Sequence, residues 1–151
     1  MFPSRPMSNV VVQCVKDVPA PPDRVWAGDG CDRELPVVTN LPNPTGNCSN
    51  VIVRTWTACD TKGNTGQISE TITVNDVVPP SINYPAEITL EAEACGIAVL
   101  PDFVQARRVT DNCCLKYVTQ SPGPGSAIHK VGEVFPVTLV AADECNVTSK
   151  T

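Results

Sequence analysis

Residues 53–76 read VRTWTACDTKGNTGQISETITVND. From Ile68 to Val74 the chain alternates: Ile68, Ile72 and Val74 fall on one side, Ser69, Thr71 and Thr73 on the other. A period of two marks a strand with one buried face, because successive side chains leave a pleated backbone in opposite directions. The run VIVRTWT at 51–57 is rich in β-branched and aromatic residues, which suit that pleated surface. TKGN at 61–64 supplies the turn between them. EITLEAEA at 87–94 repeats the pattern, with Ile88, Leu90, Ala92 and Ala94 facing one way and Glu87, Thr89, Glu91 and Glu93 the other. EVFPVTLVA at 133–141 is a further β-type run, and NPTGN at 43–47 and SPGPG at 121–125 are further turns. Fifteen Pro and nine Gly leave little room for a long helix. The expected fold is all-β, built of antiparallel sandwiches.

The chain repeats its own plan. NVVVQC at 9–14, AGDGC at 27–31, VRTWTACD at 53–60 and ETITVND at 70–76 form one series; EITLEAEAC at 87–95, VTDNC at 109–113 and VTLVAAD at 137–143 form a second in the same order. Asp60 and Asp143 each close a β-type run ahead of a polar turn. Two modules are expected, at 1–76 and 82–151, joined by a Pro-rich linker at 77–81 in which Pro79–Pro80 favours a stiff, extended backbone. At 151 residues, the length fits two small domains.

Four cysteines fall in each half: Cys14, Cys31, Cys48 and Cys59, then Cys95, Cys113, Cys114 and Cys145. Even counts in small modules point to disulfides and an oxidising, extracellular setting. Zinc would favour closely spaced ligand pairs and histidines, whereas the first-half gaps are 16, 16 and 10 residues and His129 is the only His. Each bridge is worth roughly 2–4 kcal/mol to a domain this small.

At Cys14, PAPP, GDGC, RTWTACD, KGN and ITVNDVVPP the chain resembles the hyalin-repeat (HYR) and related immunoglobulin-like modules; TDNC, QSPGPG, the apolar run before Asp143 and ECN are the matching pieces of the second copy. The resemblance implies two tandem antiparallel immunoglobulin-like β-sandwiches stapled by disulfides. It also implies Trp56 as a core aromatic with Leu139 in the equivalent place, and pairings Cys14–Cys31, Cys48–Cys59, Cys95–Cys113 and Cys114–Cys145. The second copy reaches NVTSKT with no counterpart of ETITVND, so a sandwich lacking its last strand and bearing an open edge is expected. Either the chain is a segment of a longer tandem array, or another chain donates the strand, in an open head-to-tail series. The first 15 residues lack a secretory leader, which fits a mature or excised form if the protein is exported.

Eleven Lys+Arg against 16 Asp+Glu give a net charge of −5, which disfavours nucleic-acid or anionic-membrane binding, and Arg107–Arg108 is too short a patch to change that. No apolar run is long enough to span a bilayer. Asn47-Cys48-Ser49 and Asn146-Val147-Thr148 are sequons for covalent glycans. Asp60, Asp76, Asp111 and Asp143 lie near module ends, where calcium sits in other arrays; lacking a D-x-D-x-D-G loop, they read as solvated caps of turn amides, and no metal or cofactor is expected. The glutamates at 87, 91 and 93 read as a solubilising face, not as glycosidase carboxylates. His129 has no nucleophile or acid partner at a recognisable spacing, and no catalytic residue is assigned. Among Trp26, Trp56, Tyr84 and Tyr117, Trp26 is the aromatic placed to bind a ligand. The expectation is a non-enzymatic structural module of an extracellular or cell-surface filament, stalk or adhesive appendage, partnered by itself or by other surface proteins. Alternatives are a carbohydrate- or protein-binding adhesin domain and an accessory domain of a larger secreted enzyme.

Overall fold

Strands carry the whole architecture of the computed structural model, which describes residues 2, 7–28, 30, 34–93, 95–104, 108–129 and 131–151. The chain divides into two compact units, Met1–Asp76 and Val77–Thr151. Among the described residues the only helical turn is a single 3-10 turn, Val15–Asp17.

In the first unit the strands are β1 (Val10–Val12), β2 (Val37–Asn40), β3 (Asn50–Cys59) and β4 (Thr65–Val74), in the sheet order β1-β4-β3-β2. The β3–β4 hairpin pairs Ile52 with Ile72 and Trp56 with Ile68 across the ladder. Alternation sends Ile52, Arg54, Trp56 and Ala58 inward while Val51 and Val53 stay exposed. Asp60 organises the reversal: its Oδ1 accepts the amides of Lys62 and Asn64, both at 2.8 Å, and Gly63 takes φ +88°, a conformation open to a residue without Cβ. The core has two parts. Ile52, Ile72 and Val74 pack with Val10, Val12, Val15 and Val18. Trp56, Ala58, Leu35, Ala27 and Phe2 form the other, ringed by Met7, Val25, Val37 and Ile68.

One pairing departs from the antiparallel expectation. β1 runs parallel to β4, with Val10 opposite Ile72 and Val12 opposite Val74. A parallel neighbour needs a long crossover, and the chain from Gln13 through β2 and β3 provides it. The described strands of this unit make one four-stranded sheet, where two facing sheets were expected.

The second unit holds β5 (Ser81–Ile82), β6 (Ala98–Val99), β7 (Val109–Thr110), β8 (Leu115–Ser121), β9 (Ala127–Ile128), β10 (Thr138–Asp143) and β11 (Thr148–Lys150). They form a three-stranded sheet, β11-β10-β8, and the pairs β5-β7 and β6-β9. Leu139 and Ala141 of β10 are buried, and Leu139 takes the place that Trp56 holds, each lying four residues before its Asp. Pro80 is fully buried and its carbonyl accepts from Ser149 Oγ, which ties the entry segment to β11.

Residues 87–93 do not form the expected strand. Their alternation is real, but Ile88 is 47% exposed and Leu90 only partly covered. A strand needs a ladder partner as well as a pattern, and among the described residues none lies against this segment. Ala94 of that expectation lies outside the described residues.

Candidate functional site

β4 and β11 start at the same distance from their Asp: Thr65 follows Asp60 by five residues, and Thr148 follows Asp143 by five. β11 therefore matches only the near end of β4. Thr151 extends its ladder, exchanging backbone hydrogen bonds of 2.9 and 3.0 Å with Leu139. In the first unit the far end of β4, Ile72–Val74, is the part that pairs with β1. In the repeat read from the sequence the segment corresponding to β1 is 87–93, which has no strand partner among the described residues.

A groove of about 500 Å³ lies along that segment. Buried Leu100, Ile128 and Leu139 form its floor, and Ile88, Val131, Val134 and Phe135 its exposed apolar rim. Tyr84 closes one wall, its hydroxyl donating to Phe103 O at 2.6 Å and its ring meeting Phe103 edge-on at 5.6 Å. The Arg108 guanidinium stacks 5.2 Å from the Tyr84 centroid. Apolar walls beside a segment that joins no sheet among the described residues suit a β-strand that brings both ladder hydrogen bonds and alternating side chains.

The cysteines divide differently from the pairing that the resemblance implied. Cys14 and Cys48 are disulfide-bonded in the first unit, Cys113 and Cys145 in the second. Val15 N–H donates to Asn47 Oδ1 at 2.8 Å, bringing the backbones beside Cys14 and Cys48 together. Cys59, Cys95 and Cys114 are exposed free thiols. A Cys48–Cys59 bridge is excluded by the length of β3: ten strand residues span about 30 Å, whereas bridged Cα atoms lie within about 7 Å. The implied Cys114–Cys145 bond is not formed: Cys145 is disulfide-bonded while Cys114 is an exposed free thiol, and its neighbour Cys113, in the Asp111 turn, is the bonded one. Cys95, without Cys113, remains a thiol in the turn before β6, at φ +77°. Cys31 lies outside the described residues, as do Arg107 and Lys130.

Burial overturns the solvated reading of three aspartates. Asp143 is fully buried, Asp76 is 3% exposed and Asp111 is partly buried. Asp111 and Asp143 do cap turns: Asp111 Oδ1 accepts the amides of Cys113 and Cys114 at 2.9 and 2.8 Å, and Asp143 Oδ1 accepts that of Val147 at 2.9 Å. Asp60 keeps the expected role at the surface. Asn64 Nδ2 donates to its Oδ2 at 2.7 Å, and with the turn amides this holds its carboxyl below the ordinary value of 3.8.

Among the other candidates, Trp26 is 53% exposed and Trp56 is 1% exposed. Asn146 is exposed in its turn, with Lys116 Nζ donating to its Oδ1 at 2.7 Å. Asn47 is partly buried and its Oδ1 is engaged by Val15. His129 is exposed. One feature went unread in the sequence: Arg54, inside the first unit, donates to Glu70 Oε2 at 3.2 Å and to Pro19 O at 2.8 Å. Among the described residues no helix is long and apolar enough to cross a membrane.

Residues 2–74 match the model of a family described as HYR-like domain with 4 cysteines. No curated protein and no solved structure gave a match. Modules of that type are extracellular and non-catalytic, and the two disulfides fit that setting.

Proposed function

We propose that the first unit, whose residues 2–74 match the model of an HYR-like domain with 4 cysteines, is a module of that kind, and that the protein is a structural segment of an extracellular or cell-surface assembly, held together by exchange of β-strands. The observation that carries the reading is the apolar groove beside residues 87–93. Its counterpart in the first unit is closed by Ile72–Val74 against Val10–Val12, so the occupant it fits is an extended segment of the ETITV kind. The chain carries such a segment in its own first unit, which points to tandem or head-to-tail association of like modules. The partner is then a second copy or a related surface protein.

Electron microscopy of unreduced native protein tests this. Filaments with a regular axial repeat support strand exchange between copies, and substituting Leu139→Asp in the groove floor then shortens or abolishes them. Particles that stay single at every concentration overturn the assembly reading.

A second reading rests on Trp26, whose ring is exposed in the first unit. An exposed indole is a ready stacking surface for a sugar, so the adhesin alternative predicts glycan binding that Trp26→Ala removes. An accessory role in a larger secreted enzyme draws on no separate observation. The sequons at Asn47 and Asn146 remain candidate sites for covalent glycans, with exposed Asn146 the more accessible.

A further inference from the structure

We propose that the second unit binds a calcium ion between two turns of the form Asp-x-Cys. The turns are Asp111-Asn112-Cys113 and Asp143-Glu144-Cys145, and both of their cysteines are disulfide-bonded. Carboxylate oxygens of Asp111 and Asp143 lie within 4.8 Å of each other. Each aspartate commits Oδ1 to the amides of its own turn, which fixes the carboxylate plane. Each Oδ2 is buried and accepts no hydrogen bond. Asp143 is fully buried, so its second oxygen is out of reach of bulk solvent.

Two carboxylates brought this close away from bulk solvent repel each other, and an unpaired buried charge is costly. A cation between them removes both penalties at once. The donor set selects its class: carboxylate oxygens without thiolate or imidazole favour a hard ion. Calcium accepts an irregular shell completed by water and neighbouring oxygens, where magnesium demands a near-ideal octahedron.

The first unit supplies an internal comparison. Asp60 occupies the position of Asp143 in the repeat, but there the cysteine precedes the aspartate. Asn64 Nδ2 satisfies the Oδ2 of Asp60, leaving no oxygen over for an ion. The two second-unit aspartates carry the proposal, which does not depend on what fills the groove.

The test is calorimetric titration of calcium into the intact, EDTA-treated chain, paired with thermal unfolding in calcium and in EDTA. Binding with a dissociation constant on the order of 10⁻⁴–10⁻³ M, the range of extracellular calcium modules, and a raised unfolding midpoint are expected. Asp143→Asn and Asp111→Asn each weaken binding by about tenfold or more, since the affinity follows the number of charged ligands. In EDTA, Asp143→Asn unfolds no earlier than the parent, because the repulsion is relieved; a purely structural aspartate would show the reverse. Asp60→Asn retains the full calcium response. A parent chain with no heat of binding and no midpoint shift overturns the proposal, as does an Asp143→Asn variant that responds like the parent. If Asp143→Asn does not fold, the parent isotherm and Asp111→Asn decide the question.

Discussion

Replacing Glu70 by alanine strips the carboxylate from a guanidinium that is almost sealed from water. The side chains of Arg54 and Glu70 are 6% and 14% exposed, and they face each other across the β3–β4 ladder at 3.2 Å. At that distance and an effective dielectric of about 20, the attraction is about 5 kcal/mol, most of it offset by the cost of desolvating both groups. The pair as a whole therefore adds little, whereas losing one member leaves a buried charge uncompensated. Glu70→Ala is expected to cost about 3 kcal/mol, the low end for a broken buried pair, since Arg54 Nη2 keeps Pro19 O. The double variant Arg54→Met, Glu70→Leu should return to within about 1 kcal/mol of the parent, and the cycle of single and double variants should give a coupling above about 1 kcal/mol. The assay is urea unfolding of the intact chain followed by tryptophan fluorescence. Both tryptophans, Trp26 and Trp56, belong to the first unit, so the signal reports that unit alone. A cost for Glu70→Ala below about 1 kcal/mol, the ordinary value for an exposed pair, would refute the reasoning, because the charges would then be in contact with water.

Trp56→Ala should destabilise the first unit by about 3–5 kcal/mol, and Trp26→Ala by under about 0.5 kcal/mol, as the same unfolding experiment will read. Iodoacetamide should label Cys59, Cys95 and Cys114 in folded, unreduced protein, with peptides holding Cys14, Cys48, Cys113 and Cys145 labelled only after reduction. A Cys59 that stays unlabelled would mean a bridge at the end of β3 that the described residues do not contain, with Cys31 the cysteine left to make it. Asp60 titrates below its ordinary 3.8, chiefly through the Asn64 side chain. Its contribution is therefore complete above that pH and is lost as pH falls through the lower folded value. Asn64→Ala should return the carboxyl toward 3.8 in an NMR titration, and an unmoved titration curve would count against the turn geometry.

The β3–β4 hairpin was legible because two local signals agree there: a period of two and a turn rich in the right residues. Glu70 shares its parity with Ile68 and Ile72, as Arg54 does with Ile52 and Trp56, so the inward ion pair was readable too. It passed unnoticed because charged residues ordinarily mark the solvent face. At 87–93 the alternation predicts a strand, but pairing is a non-local property and no residue of the segment announces its partner. The same limit hid the parallel placement of β1. Asp-Asn-Cys and Asp-Glu-Cys look like exposed turns one at a time. Only the fold sets Asp111 and Asp143 face to face. The repeated spacing of Asp and Cys, at 111 and 113 and again at 143 and 145, was the one hint available. Exposure of Cys59 follows from its place at the outer end of a ten-residue strand, which spacing along the chain does not convey.

The parallel pairing of β1 with β4 has a mechanical consequence. Among the described residues these are the first and last strands of the unit, and they lie side by side pointing the same way. Tension applied through the two ends of the unit pulls β1 toward its own start and β4 toward its own finish. The strands must then slide past each other along their length. Sliding loads every hydrogen bond from Val10–Val12 to Ile72–Val74 at once, where peeling would open them singly. Resistance to stretching is set by the barrier to unfolding, not by equilibrium stability, and a shear clamp raises that barrier. A module built this way would resist tension applied through its own ends, and a strand laid into the groove of the second unit in the same parallel sense would give that unit a clamp of its own.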